Sequence, residues 1–207
     1  FKALEDSRET LAKFIGAKTE EIIFTSSATE ANNHAIISGA RTRKSKGNHI
    51  ILSAIEHHAV WKPAAFLKKE GFEVTTINAD KDGLVDPKDI EKAITDKTIF
   101  VSVIHANNEI GTIQPVEAIG QIARKKGILF HTDAVQSIGQ IPVNVNDLNA
   151  DLLALGGHKF YAPKGIGALY VRKGVDLEPF LYGGDQERSR RAGTVNVAFA
   201  VGMAKAV

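Results

Sequence analysis

Seven short apolar segments, separated by helix-length stretches and turn signals, constrain this chain more than any other feature. They occupy residues 21–25, 49–53, 72–77, 98–104, 128–131, 151–155 and 166–172. Each is the length of a buried strand, and most lack the strict polar alternation of a half-solvated one. Helical patterns fill the gaps. Residues 1–15 carry Leu4, Leu11, Phe14 and Ile15 at spacings that share one face. A second helix starts at the hydroxyl-rich run Ser26-Ser27-Ala28-Thr29-Glu30 and extends to about Ala40. Others span 60–70, 86–94, where Asp86-Pro87 opens the helix, and 116–126. Strands alternating with helices require right-handed crossovers and a parallel sheet buried on both sides. The expected fold class is therefore α/β: a three-layer, mostly parallel mixed sheet with helices on both faces. The Pro163/Gly165 turn leaves open an antiparallel return of the last strand, as a hairpin at the sheet edge.

With 207 residues and no low-complexity linker or internal repeat, the chain reads as one domain, 1–207. It holds 26 basic and 24 acidic residues, a net charge of +2, so no broad basic face for nucleic acid is expected. The densest basic run, Arg41, Arg43, Lys44 and Lys46, has no interleaved aromatic residue and reads as a solvated helix end. No apolar run approaches the ~18 residues needed to span a bilayer, and no secretory signal leads the chain. A soluble, cytoplasmic protein is expected. The chain opens Phe1-Lys2-Ala3-Leu4 without an initiator methionine, as a segment of a longer protein would. It contains no cysteine, which removes disulfides, zinc ribbons and any thiol nucleophile within these residues.

In an open α/β sheet, ligands bind beyond the carboxyl ends of the strands. Polar clusters follow strand ends at 26–29, 56–58, 105–109, 131–136 and 156–159, and a sixth spans 183–194. Lys159, in Leu155-Gly156-Gly157-His158-Lys159, is either a solvated turn lysine or a positioned amine able to form a Schiff base. Asp133 ends an apolar strand, as a simple cap or as the carboxylate partner of a protonated ring nitrogen. Gln136 lies three residues further on. Ser26–Thr29 precedes a helix, where backbone N–H groups favour a phosphate, and His57 follows a strand end. A competing metal site would draw on His57, His58, His105, His131 and Asp133, although no H-E-x-x-H spacing supports it. No G-x-G-x-x-G opens a dinucleotide site.

Taken in order, these stretches resemble the NifS/IscS-type cysteine desulfurases. The resemblance rests on Phe24-Thr25-Ser26-Ser27-Ala28-Thr29-Glu30-Ala31-Asn32-Asn33, His105-Ala106-Asn107-Asn108-Glu109-Ile110-Gly111 and His131-Thr132-Asp133-Ala134-Val135-Gln136-Ser137. It continues through Gly157-His158-Lys159, Gly183-Gly184-Asp185-Gln186-Glu187-Arg188 and Arg191-Ala192-Gly193-Thr194. The short path to the last of these favours the NifS/IscS branch over the SufS-like one. The wider family is the class V aminotransferases, which share the fold type I architecture of pyridoxal phosphate enzymes.

The resemblance implies a set of roles. Lys159 matches the lysine that carries pyridoxal phosphate, and Asp133 the partner of its ring nitrogen. Gln136 matches the residue on the phenolic oxygen, with Asn108 beside the same substituents. His57 matches the histidine stacked on the ring, a candidate acid–base group. Ala28, Thr29 and His158 match the phosphate-binding residues. Thr194 matches a threonine that reaches the phosphate of the neighbouring subunit, which implies a homodimer. The implied substrate is L-cysteine, converted to alanine. Its sulfur passes through an enzyme persulfide to an acceptor or scaffold protein for iron–sulfur cluster or thio-cofactor synthesis.

Two departures stand out. Gly156 replaces a serine whose hydroxyl binds phosphate in many relatives. The family's length is roughly twice this chain's, so a small C-terminal domain bearing the catalytic cysteine is expected elsewhere, and these residues alone are expected to be inactive. A selenocysteine lyase, another class V aminotransferase, or a non-catalytic dimerisation unit are the alternatives.

Overall fold

The computed structural model describes residues 2–207. Its seven strands are β1 (Ile22–Thr25), β2 (His49–Ser53), β3 (Glu73–Ile77), β4 (Thr98–Ser102), β5 (Leu129–Asp133), β6 (Leu152–Gly156) and β7 (Gly167–Val171). They form one sheet in the order β1-β7-β6-β5-β4-β2-β3. Every neighbouring pair is parallel except those of β7, which runs antiparallel to both β1 and β6. The antiparallel return after Pro163 is thus realised, but inside the sheet. The hairpin edge left open by the sequence is occupied by β1, which pairs with the far side of β7. An edge strand of four residues exposes little unpaired backbone.

The helices are α1 (Lys2–Phe14), α2 (Ala28–Asn33), α3 (Gly39–Arg41), α4 (His58–Lys68), α5 (Pro87–Ala93), α6 (Val116–Lys125), α7 (Gln186–Ser189, a single turn whose last three residues have positive φ) and α8 (Val197–Ala206). A π-helical stretch, His34–Ser38, joins α2 to α3 and makes the second helix continuous. Of the helix expected over 1–15, Phe1 lies outside the described residues. Phe14 is 40% exposed, and Arg8 takes the buried place on that face instead.

Strand side chains alternate between two cores, giving three layers. On one side Phe24, Ile51, Val101, Phe130, Leu153 and Tyr170 meet α1, α6 and α8. On the other, Ile23, Ile50, Leu52, Phe100, Leu129 and Leu169 meet the second helix and α4. Six of the strands are buried on both faces and read as near-continuous hydrophobic runs, as buried strands must, while the edge strand β3 (EVTTI) is half-exposed. The sequence does not predict the last helix, α8; apolar at every position but Lys205, it has no polar stripe to mark a period. Among the described residues no helix is long and apolar enough to cross a membrane.

Candidate active site

At the carboxyl ends of the parallel strands lies a cleft of about 210 Å³. Its walls bring together Ala28, Thr29, His57, Asn108, Asp133, Gln136, His158 and Lys159, from five separate segments of sequence. Thr194 is exposed and does not line it. The residues converge because β1, β2, β4, β5 and β6 all run the same way. The loops leaving their ends therefore share one rim.

Asp133 is the last residue of β5 and only 3% exposed. Its Oδ2 accepts the Asn32 side-chain amide at 2.7 Å, and its Oδ1 accepts the Val135 backbone N–H at 3.0 Å. Burial pushes the carboxyl above its usual range, against the two hydrogen bonds. Among the described residues no lysine, arginine or histidine forms an ion pair with it. A buried carboxylate supported only by neutral donors is poised to take a cation or a proton.

Asn32 was not singled out from sequence. It is fully buried, lines the cleft, and its Oδ1 has no partner. The spacing offered a signal: Asn32 stands four residues after Ala28, on the same helix face.

The start of the second helix lines the same cleft as the acid. Ser27 caps it by accepting Glu30 N–H at 3.2 Å, and Glu30 in turn accepts the Ser26 N–H at 2.9 Å. This reciprocal cap holds residues 27–29 in place, with the first helical N–H groups unpaired within the helix. Arg191 braces Glu30 through two bonds of 2.7 and 3.0 Å, tying the 183–194 segment to the same corner.

His57 caps α4: its Nδ1 accepts the Ala59 N–H at 3.0 Å, so the neutral ring carries its proton on Nε2. Lys159 sits in a single 3₁₀ turn, Gly157–Phe160, directly after β6, and its side chain is exposed to the cleft. Partial burial and the ammoniums of Lys159 and Lys164 hold the neighbouring His158 below its usual range. Gln136 follows β5 in a run of turns rather than a helix, so it reaches the cleft through the turn closed by Ser137 N–H to Ala134 O.

The competing metal constellation does not assemble. His131 is buried beneath the rim, bonded to Ser102 and pushed down to about 3 by burial, and His105 is likewise pushed down to about 4. Among the described residues no three His, Asp or Glu side chains come together to hold a metal ion.

The family model "Aminotransferase class-V" matches residues 1–207. The chain is 55% identical over 205 residues to a cysteine desulfurase IscS of Dictyoglomus turgidum, covering 99% of this chain and 52% of that relative. It is 54% identical to an IscS of Methanosarcina thermophila, covering 99% of this chain and 50% of the relative. A structure of SspA in complex with cysteine superposes with a TM-score of 0.96 at 43% identity, over 99% of this chain and 60% of that one. A NifS-like protein gives 0.96 at 43% identity, over 99% of this chain and 57% of that one. The chain thus spans about half the length of the curated relatives it matches.

Proposed function

From its membership of the class V aminotransferase family, to which the chain belongs over residues 1–207, we propose that it is the large, pyridoxal-phosphate-binding domain of a cysteine desulfurase. The observation that carries this reading is the buried Asp133 carboxylate lining one cleft with the Lys159 amine, the His57 imidazole and the capped helix start at residues 27–29.

The residues present fit the cofactor. A protonated ring nitrogen gives Asp133 the cation that its surroundings do not supply. The helix start offers backbone N–H groups and the positive end of a dipole to a phosphate. Lys159 provides the amine for covalent attachment. When bound, pyridoxal phosphate supplies an electron sink for a substrate carbanion. The chain's own part is then positional. Asp133, steered by Asn32, would hold the ring nitrogen protonated, Gln136 and Asn108 would bond the ring substituents, and His57 would stack on the ring. Lys159, held by a one-turn helix at the end of β6, would be the amine that takes up the substrate's α-proton.

L-cysteine is the substrate in this reading and alanine the product. The chain contains no cysteine, so the thiol that receives the sulfur comes from outside these 207 residues. An exposed Thr194, outside its own cleft, accords with a homodimer in which that residue completes the partner's phosphate site. The protein acts in the cytoplasm, passing sulfur to an acceptor or scaffold protein for iron–sulfur cluster or thio-cofactor synthesis.

Adding pyridoxal phosphate to the purified protein is expected to give an absorption band near the visible edge. Borohydride reduction should then leave the cofactor on the Lys159 peptide. Labelling spread over surface lysines, with no band, would sink the proposal.

Gly156 tests the phosphate corner. A Cβ there would meet the Ala28 Cβ at 3.0 Å, so the helix start approaches β6 more closely than a serine admits without a small shift. Gly156→Ala is expected to weaken cofactor binding slightly by crowding. Gly156→Ser should bind more tightly than the alanine variant, by about 0.5–1.5 kcal/mol for one added hydrogen bond. Equal dissociation constants for the two variants would show that the hydroxyl reaches no phosphate.

A further inference from the structure

Glu56, immediately before His57, belongs to none of the motif roles above. It is 8% exposed, in the loop between β2 and α4. Its Oε1 accepts the Ser53 hydroxyl at 2.6 Å and the Ile104 backbone N–H at 2.7 Å. Ser53 is the last residue of β2, while Ile104 lies just beyond β4 and lines the cleft. One carboxyl oxygen therefore ties the loop carrying His57 to the ends of two adjacent strands. A second tie comes from the other side, where Asn107 Nδ2 donates to the Ile55 carbonyl at 2.8 Å.

We propose that Glu56 is a positioning residue for His57: it locks the 54–57 loop onto β2 and β4, and so fixes the imidazole against the cofactor. The proposal rests on the pyridoxal phosphate reading of the cleft.

The chemistry of the tie supports it. Glu56 Oε2 is buried without a partner, an unfavourable setting for an ionised carboxylate. Burial, reinforced by the charge on Asp133, pushes the carboxyl up to about 8. Burial therefore favours the neutral acid at Glu56. It accepts two bonds through one oxygen and leaves Asp133 to carry the negative charge opposite the ring nitrogen. A glutamine reproduces that state, with the same acceptor and no charge.

The test is a double-mutant cycle on the purified protein loaded with pyridoxal phosphate, read by the visible band and the cofactor's dissociation constant. Glu56→Gln is expected to match the wild type within about twofold in affinity, with an unmoved band. Glu56→Ala should shift the band and weaken binding by roughly tenfold. In a His57→Ala background the same Glu56→Ala change should move neither quantity further, because the residue it positions is gone. Where Glu56→Ala folds poorly, Glu56→Asp serves instead, since one carbon less withdraws the acceptor from Ile104 N–H. Additive effects in the cycle, or a glutamine variant as damaged as alanine, overturn the role assigned to Glu56 while leaving the cofactor reading intact. No band in the wild type overturns both.

Discussion

Replacing Asp133 by alanine is expected to weaken pyridoxal phosphate binding by two to three and a half orders of magnitude. The figure follows from leaving a ring cation buried without its counter-charge, which costs about 3–5 kcal/mol. The carboxylate is 3% exposed and bonded only to Asn32 and the Val135 amide, while the nearest buried acid, Glu56, is itself held towards its neutral form by burial and by the charge on Asp133. The cofactor-free protein should respond in the opposite direction. Burial holds Asp133 above its usual range, so its charge is a burden on the fold when no cation is present. Asp133→Asn keeps an acceptor for the Val135 amide and removes that burden. Its cofactor-free stability is expected to equal or exceed the wild type's, while its cofactor affinity falls. Fluorescence titration with pyridoxal phosphate and urea unfolding without it measure the two sides. If Asp133→Asn loses stability and keeps affinity, the acid is a structural element and not a cofactor ligand.

Replacing Glu187 by alanine should cost the fold about 3–5 kcal/mol, the scale for removing one partner of a buried ion pair. Glu187 receives both ends of the Arg8 guanidinium, at 2.6 and 2.8 Å, and its Oε2 also accepts the Phe24 N–H at 2.7 Å. Arg8 and Glu187 are 3% and 5% exposed. Without the carboxylate, Arg8 keeps the Ile22 carbonyl and the partly exposed Glu5, and the Phe24 amide of β1 is orphaned. The clasp also restrains an unfavourable backbone. Glu187, Arg188 and Ser189 follow one another at φ of 50°, 59° and 59°, the left-handed region that non-glycine residues avoid. For a chain of this length the loss corresponds to a fall in Tm of roughly 6–20 °C. Joint replacement, Arg8→Met with Glu187→Leu, should recover much of it, because no lone buried charge then remains. A drop under about 1 kcal/mol for Glu187→Ala would mean that solvent reaches Arg8 readily.

The two results bear on one corner of the molecule. Glu187 anchors the start of the 183–194 segment, and Arg191 anchors its far end to Glu30, the residue that caps the helix start. Loss of the clasp is therefore expected to loosen the Ser26–Thr29 turn as well as β1.

Much of the fold was legible in the sequence, because strands buried on both faces and helices with one apolar stripe leave strong periodic marks. All seven strands appear where the apolar runs stand, with ends shifted by a few residues. Asp133, read at the end of an apolar strand, is the last residue of β5. The place of β7 was not legible. A turn at Pro163/Gly165 reports a reversal of direction, while the neighbour gained on the far side is a contact across more than 140 residues of sequence. Helix α8 escaped for a different reason, since a helix apolar at every position but Lys205 has no stripe to read.

The candidate site divides along the same line. Residue types at strand ends identified Lys159, Asp133, His57 and the helix start, since strand direction alone brings those ends to one rim. Asn32, Glu56 and Arg8 needed the tertiary structure. Their partners, Asp133, Ile104 and Glu187, lie 101, 48 and 179 residues away. Local pattern records what a segment buries and where it turns. Which polar groups meet in the interior, and so which buried charge is held, shared or neutralised, is decided by packing between segments distant in the chain.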